Sequence, residues 1–590
     1  MHLRKTRVLP LLGCVVIVAS ACSSTAATPS GAAPTGGASA SAAPVQQYPR
    51  NETLYTTGKQ WGAPSTWNPL DPNAAMGVVG LQYETLFLYD PLKDVYTPWL
   101  ATAGTWDSSK TTYTITTRSG VNWSDGTAFS AKDVAFTINL GLTIKALGSS
   151  LPQAGLQSAT ASDDSTVVVK FSANPAYQEW QQWLYNSPIV PEHIWQANAN
   201  EDILKVTNEN GVGTGPYLYL THSDDRMVWQ RNDSWWAIKA LNLTVKPKYI
   251  VDIVNGANSV ALGQLLQGGL DLSNNFLPGV ASLVAGGYGI TTYYPTAPYM
   301  LAGNTATLIP NTTKKPLDDP AFRKALATAI NTDDIVNKVY GNIVQKADAT
   351  GLLPTFDKYI DKTQRDALGF SFDTAKAKSM LAAAGYKTGS DGCVQNKDGS
   401  PIKLTLEVPD GWSDWMAAEN SIAASAKLAG ICIDPQHPDY NTVVSDRNRP
   451  DDGSNPKFDL IINNDIQVGN TPWTWYDYVF RQPLPNGAGE NRNFEGYKND
   501  AAWALVQQLD KTPVEDTATM QSICSQLQKI QLENMPVIPL WYNGIWSQVN
   551  NSVWTNWPST TTYQVLPATW NGYWQMGAIY MLTNIKLATQ

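Results

Sequence analysis

Apolar and polar positions along the chain change period repeatedly, and the changes mark out its elements. Over "TYTITTRSGVNWSDGTAFS" and "STVVVKFS" apolar and polar residues alternate in the two-residue rhythm of half-buried strands. Between them, "AKDVAFTINLGL" has the helical spacing, with Ser130 placed to cap it and Asp133 to reach back as the capping-box acid. "DPAFRKALATAINTDDIVNKVYG" repeats the helical spacing up to a C-capping glycine, and "DTAKAKSMLAAAGY" does so again. Shorter strands are predicted at "TLYTTG", "LFLYDP" and "LIINN", and Gly213, Gly215 and Pro216 in "GVGTGPYLYL" mark a tight turn into a strand hairpin. Helices alternating with strands in this way predict an α/β fold of mixed sheets covered on their faces.

The ends follow a different rule. Arg4, Lys5 and Arg7 precede an apolar run from Val8 to Val18, which is too short and wrongly flanked for a membrane span and reads as an export signal over residues 1–22. The "VASAC" ending at Cys22 resembles the lipobox of bacterial lipoproteins, with Ala19 standing where a larger aliphatic residue is usual. The resemblance implies a lipidated Cys22 and a body held at the outer face of a cell membrane. Residues 23–46 are almost wholly Ser, Ala, Thr, Gly and Pro, a composition that cannot bury enough apolar surface to fold. They read as a tether with a reach on the order of 25 to 30 Å.

Composition narrows the function. A net charge of -9 gives no basic surface for nucleic acid. His2, His193, His222 and His437 are scattered, so no zinc site is expected, and nothing in the sequence calls for a cofactor or another metal. Beyond Cys22, an exported chain retains Cys393, Cys432 and Cys524. Cys393 lies in the hairpin "GCVQNKDGSPIKLTL" and Cys432 on the strand after the next helix. Adjacent strands of one sheet would bring them together as a disulfide; three unpaired buried thiols are the alternative. Tryptophan, with 22 copies, outnumbers phenylalanine, with 12. Indoles offer flat faces suited to the C–H face of a pyranose ring, and Asn, Gln and Asp can bond its hydroxyls.

"GTGPY" with the following "RNDSWW" resembles a signature of the family 5 solute-binding proteins of ABC importers, the group of dipeptide, oligopeptide and nickel binders. "YETLFLYDP", "GVNWSDGTAFSAKDVAFT", "PLDDPAFRKALATAINTDDIVNKVYG", "AKSMLAAAGY", "KFDLIINND" and "MPVIPLWYNGIW" fall in the family's order across essentially everything after the tether. The resemblance implies a two-lobed, periplasmic-binding-protein-like fold with an extra subdomain. Two crossover strands, near Tyr299 and near Asn550, would hinge the lobes shut around a solute. Lobe I would comprise residues 47–82, 197–305 and 549–590, the extra subdomain 83–196, and lobe II 306–548. It also implies a monomer that delivers its solute to an ABC permease and catalyses nothing.

In the family's peptide binders, the strand corresponding to "FDLIINND" is followed by an acidic loop, usually with an Asp-Pro, that pairs with the ligand's amino terminus. Here "IQVGNTPWTWYDY" follows instead, and the chain resembles the family's cello-oligosaccharide and β-glucan binders. The candidate ligand residues are Trp61, Trp67 and Asn68 in "QWGAPSTWNPL", Tyr299 on the first crossover, Trp412 and Trp415 in "PDGWSDW", and Asn464, Asp465, Trp473 and Trp475 after the strand at Leu460. If the last segment is extended, Trp473 and Trp475 face opposite sides and one of them, Trp473 by preference, stacks on a sugar ring. Peptide import is the alternative. A secreted glycoside hydrolase would also be Trp-rich, but no motif nominates a pair of carboxylates.

Overall fold

The structure, a computed structural model, describes residues 48–58, 60–145, 147, 155–173, 175–450, 453–464, 469–484, 492–567 and 575–589. The export signal, the tether, Cys22 and Asp465 lie outside the described residues.

The first lobe is built on a seven-stranded sheet in the order Ile290–Thr292, Gln548–Asn550, Leu272–Ser273, Thr53–Thr57, Tyr249–Ile253, Arg226–Arg231, Tyr217–Ser223. Thr53–Thr57 runs parallel to both its neighbours and is buried along nearly its whole length, as a central strand covered on both faces must be. The "GTGPY" glycines owe their place to close backbone contact. A Cβ on Gly213 would collide with the carbonyl of Gln82, and one on Gly215 with that of Leu81. Gly215 donates its N–H to the Gln82 carbonyl at 2.9 Å, fastening the hairpin to the chain just before the subdomain.

At that junction Glu84 is wholly buried. Its carboxylate accepts the indole N–H of Trp99 at 2.9 Å, of Trp235 at 3.1 Å and of Trp236 at 2.7 Å. The acid of "YETLF" and the tryptophans of "SWW" are thus one structural unit, and burial pushes the carboxyl up to about 7.

The subdomain sheet has the order Ala101–Trp106, Thr112–Thr117, Thr166–Phe171, Leu156–Ala161 and is antiparallel throughout. The helix Ala131–Thr143 starts from a full capping box, Ser130 with Asp133. A second helix, Tyr177–Asn186, carries the subdomain's contacts to the second lobe.

The second lobe's sheet is mixed: Gln345–Lys346, Ile538–Gly544, Ala302–Pro310, Leu460–Asn463, Leu404–Glu407, Ile433–Gln436. The segment from Asp319 to Gly341 is not one helix. It is helical over Pro320–Ala329, breaks where Ile330 becomes extended, and restarts with Asn331 Oδ1 accepting the Asp334 N–H at 3.1 Å. The polar "NTDD" is a new N-cap inside an otherwise helical pattern.

Two chain passes join the lobes side by side. Ala302–Pro310 and Ile538–Gly544 are antiparallel neighbours in the second sheet, while Ile290–Thr292 and Gln548–Asn550 are antiparallel neighbours in the first. Between the sheets Ile545 N–H meets the Leu301 carbonyl at 2.7 Å. The result is a two-stranded hinge. Tyr299 sits at its edge in a turn, with a left-handed φ of 62°.

Cys393 and Cys432 are bonded, with Cα atoms 5.6 Å apart. They do not flank one sheet: Cys393 leads into Val394–Gln395 of a separate two-stranded ribbon, and Cys432 into the edge strand Ile433–Gln436 of the lobe sheet. The Val394 N–H to Gly430 carbonyl bond at 2.7 Å brings the two elements together. The bridge spans a sequence separation of 39. Loop-closure entropy for such a span is worth about 4 kcal/mol. Cys393→Ser with Cys432→Ser should therefore lower the calorimetric unfolding temperature, whereas a variant that unfolds at the wild-type temperature would show the bridge to be idle. Cys524 is free and buried, and burial holds its thiol well above the usual range.

Candidate functional site

The lobes meet along a seam at which side chains from both are paired. At one end, Trp61 leaves the first lobe and its ring lies 4.8 Å from that of Trp412 in the second, tilted by 44°. Trp412 also stacks on Tyr440 at 6.0 Å and meets Trp415 edge-on at 4.7 Å. Both Trp61 and Trp412 are half-buried. The Trp412 Nε1–H is shielded from solvent and has no hydrogen-bond partner among the described residues. Beside this group Gly62 lies against the amide of exposed Asn441, where a Cβ would stand 3.1 Å from its Oδ1.

Backbone and side-chain bonds hold that end together. Asn258 donates its N–H to the Gly411 carbonyl at 3.1 Å and its Nδ2 to Asp414 Oδ1 at 3.1 Å. The other Asp414 oxygen takes the Tyr340 hydroxyl at 3.0 Å, and burial pushes the carboxyl up to about 6. This acid is engaged by the scaffold on both oxygens.

At the hinge, Asn304 Nδ2 donates to the Asn464 carbonyl at 2.8 Å, and Asn464 Nδ2 faces Asn304 Oδ1 at 3.4 Å. Half-buried Trp546 lies nearly parallel to Tyr340 at 6.2 Å and edge-on to Phe276 at 5.2 Å, while its carbonyl accepts Asn274 Nδ2 at 2.9 Å.

At the other end, the helix Tyr177–Asn186 reaches across to the second lobe. Gln178 Nε2 donates to the Thr512 carbonyl at 2.8 Å, and Gln178 Oε1 accepts the Thr471 hydroxyl at 2.6 Å. Glu179 N–H meets Asp510 Oδ1 at 2.9 Å, Asn470 Nδ2 meets Gln181 Oε1 at 3.1 Å, and Arg481 lies 3.8 Å from the Glu179 carboxylate. Burial, with the Glu179 charge second, holds the Asp510 carboxyl far above the carboxylate range.

Of the sequence candidates, the structure brings Trp61 and Trp412 together across the lobes, and puts Asn464 and Tyr299 beside the hinge. Others sit in cores: Trp67 is 2 %, Trp415 3 %, Trp473 2 % and Trp475 4 % exposed, and Asn68 is fully buried. Trp67 packs on Tyr219 and His222, and Asn68 ties Ile203 to Leu70. The segment after Pro472 is not extended but a helix, Trp473–Phe480. There Trp475 donates Nε1–H to Gln531 Oε1 at 2.9 Å and lies over Gly351, whose φ of 76° and missing Cβ make room for the ring. In this conformation neither indole has a face to offer a sugar. Tyr440, Asn441, Asn304 and Trp546 join the candidates. Trp546 belongs to the "MPVIPLWYNGIW" motif, while Tyr440, Asn441 and Asn304 had no local signal.

Residues 95–484 match the family described as bacterial extracellular solute-binding proteins, family 5. The chain belongs to that family. A crystal structure of a periplasmic oligopeptide-binding protein of an oligopeptide ABC transporter from Thermotoga maritima, bound to mannohexaose, is similar over 92% of this chain and 100% of its own, at 40% identity and a TM-score of 0.86. The oligopeptide-binding protein AppA of Bacillus subtilis is 24% identical over 73% of this chain and 75% of its own length. A probable ABC transporter-binding protein of Deinococcus radiodurans is 24% identical over 77% of this chain and 81% of its own. The family's members serve ABC importers as extracellular solute binders, and the two-lobed, hinged architecture is theirs.

Proposed function

We propose that this chain, held at the outer face of a cell membrane through a lipidated Cys22, captures a β-linked hexose oligosaccharide between its lobes and delivers it to an ABC permease. The observation that carries the reading is the chemistry of the seam. Half-buried indoles, Trp61 and Trp412 at one end and Trp546 near the hinge, are accompanied by the amide of Asn441 at the first place and by the mutually bonded Asn304 and Asn464 at the second. Asp414, the acid beside Trp412, already has both oxygens engaged by Tyr340 and Asn258. Indole faces and amides suit rings and hydroxyls, whereas a peptide brings charged termini that need charged anchors. The unpartnered Trp412 Nε1–H is a donor whose burial costs about 1 to 3 kcal/mol, an expense a ligand hydroxyl would remove. The mannohexaose held by the Thermotoga maritima protein agrees with this choice.

Oligopeptide binding is the second reading, favoured by the naming of relatives such as AppA as oligopeptide-binding proteins. Isothermal calorimetry with cellohexaose and mannohexaose, beside a tripeptide and a nonapeptide, separates the two. We expect a hexasaccharide to bind and the peptides not to. Peptide binding with no heat from either sugar would replace this reading with the second one.

A further inference from the structure

A pocket of about 270 Å³ lies apart from the Trp61–Trp412 contact, where the extra subdomain meets the second lobe. Aromatic rings from separate elements line it. Trp106 ends the edge strand Ala101–Trp106, Tyr113 comes from the next strand, and Tyr177 and Trp180 come from the helix Tyr177–Asn186. Trp106 stands edge-on to Tyr113 at 5.0 Å and to Tyr177 at 5.3 Å, and both Trp106 and Tyr177 are half-buried. Gly104 lets the Tyr113 ring lie against the strand, since a Cβ there would collide with the tyrosine hydroxyl.

The last wall is Pro513–Glu515 of the second lobe, held in place by the Gln178 bond to the adjacent Thr512 carbonyl. The pocket is therefore complete only when the subdomain and the second lobe touch. Lys110 and Glu515 add polar heads at its edge, and both are exposed. Gln181 adds an amide.

We propose that this pocket is a second saccharide site, taking one or two rings of a β-linked hexose oligomer at a place separate from the seam. The inference rests on the sugar reading above. The half-buried rings of Trp106 and Tyr177, with hydrogen-bonding heads at the rim, suit a pyranose, which has apolar faces and a polar equator. The volume is somewhat below the roughly 300 Å³ at which drug-sized pockets begin, a scale that admits a short sugar and excludes a folded partner. Because one wall belongs to the other lobe, sugar bound here favours the closed arrangement through its contacts alone.

Calorimetry with cellobiose and cellohexaose on the full chain tests this, using Trp106→Ala, Tyr177→Ala and Trp412→Ala with thermal unfolding as the check on folding. Wild type should show two binding events. Trp106→Ala and Tyr177→Ala should weaken one of them by tenfold or more and the other by less, while Trp412→Ala should do the converse. A single event, untouched by Trp106→Ala and Tyr177→Ala but lost with Trp412→Ala, would overturn the second site and leave the seam reading standing. No heat from either sugar in wild type would overturn both.

Discussion

Glu84→Leu is expected to destabilise the protein by several kcal/mol, on the order of 3, because it strands buried hydrogen-bond donors at about 1 to 3 kcal/mol each. Three indole N–H groups, those of Trp99, Trp235 and Trp236, converge on this one carboxylate. Leucine removes their acceptor while leaving the donors inside a fully buried core, where an unsatisfied donor costs about 1 to 3 kcal/mol. Glu84→Gln keeps one oxygen but turns an NH₂ toward a third indole, so an intermediate loss is expected.

The pH dependence has a definite sign. The Glu84 carboxyl is raised from 4.5 to about 7 in the folded chain. Between those values the folded form binds more protons than the unfolded one, so stability falls as pH rises. The contribution is fully present below 4.5 and lost as pH passes through about 7, an effect of about 3 kcal/mol at full size. Asp414, raised from 3.8 to about 6, acts in the same direction. Thermal unfolding between pH 4.5 and 8 should show a decline that is shallower in Glu84→Gln. Equal slopes for wild type and variant would remove Glu84 from the account.

The parts of this molecule written locally were legible in the sequence. Ser130 and Asp133 announce their capping box at a fixed spacing, and the alternation over "TYTITT" needs only the pleat of a strand. Glu84 shows the limit. The motifs "YETLF" and "SWW" are each visible, but their joining is a contact between residues about 150 positions apart that neither pattern encodes. The same limit explains Trp473 and Trp475. In sequence they follow polar residues and read as loop platforms, while in the fold Gly351 and Gln531 supply the space and the acceptor that draw Trp475 inward. Trp61 and Trp412 could be nominated one by one, but their meeting depends on the positions of the lobes.

Trp412→Ala is expected to weaken oligosaccharide binding tenfold to a hundredfold, because losing an aromatic platform under a ring costs roughly 1 to 3 kcal/mol. Two losses combine at this residue. The ligand loses a face and the Nε1–H donor, and the closed form loses the contact with Trp61 at 4.8 Å. A double-mutant cycle separates them. Trp61→Ala, Trp412→Ala and the double variant, each titrated with the same hexasaccharide, should give a coupling of about 0.5 to 1.5 kcal/mol, the range for an aromatic pair in direct contact. Trp412→Phe should restore part of the affinity, because it returns a ring without the donor. Since Trp412 also packs on Tyr440 and Trp415, the unfolding temperature of each variant reports any loss to the second lobe itself. Additive effects from Trp61→Ala and Trp412→Ala would mean that each indole meets the sugar separately and that their contact does not help hold the lobes shut. Full affinity in Trp412→Ala would remove this end of the seam from the binding site.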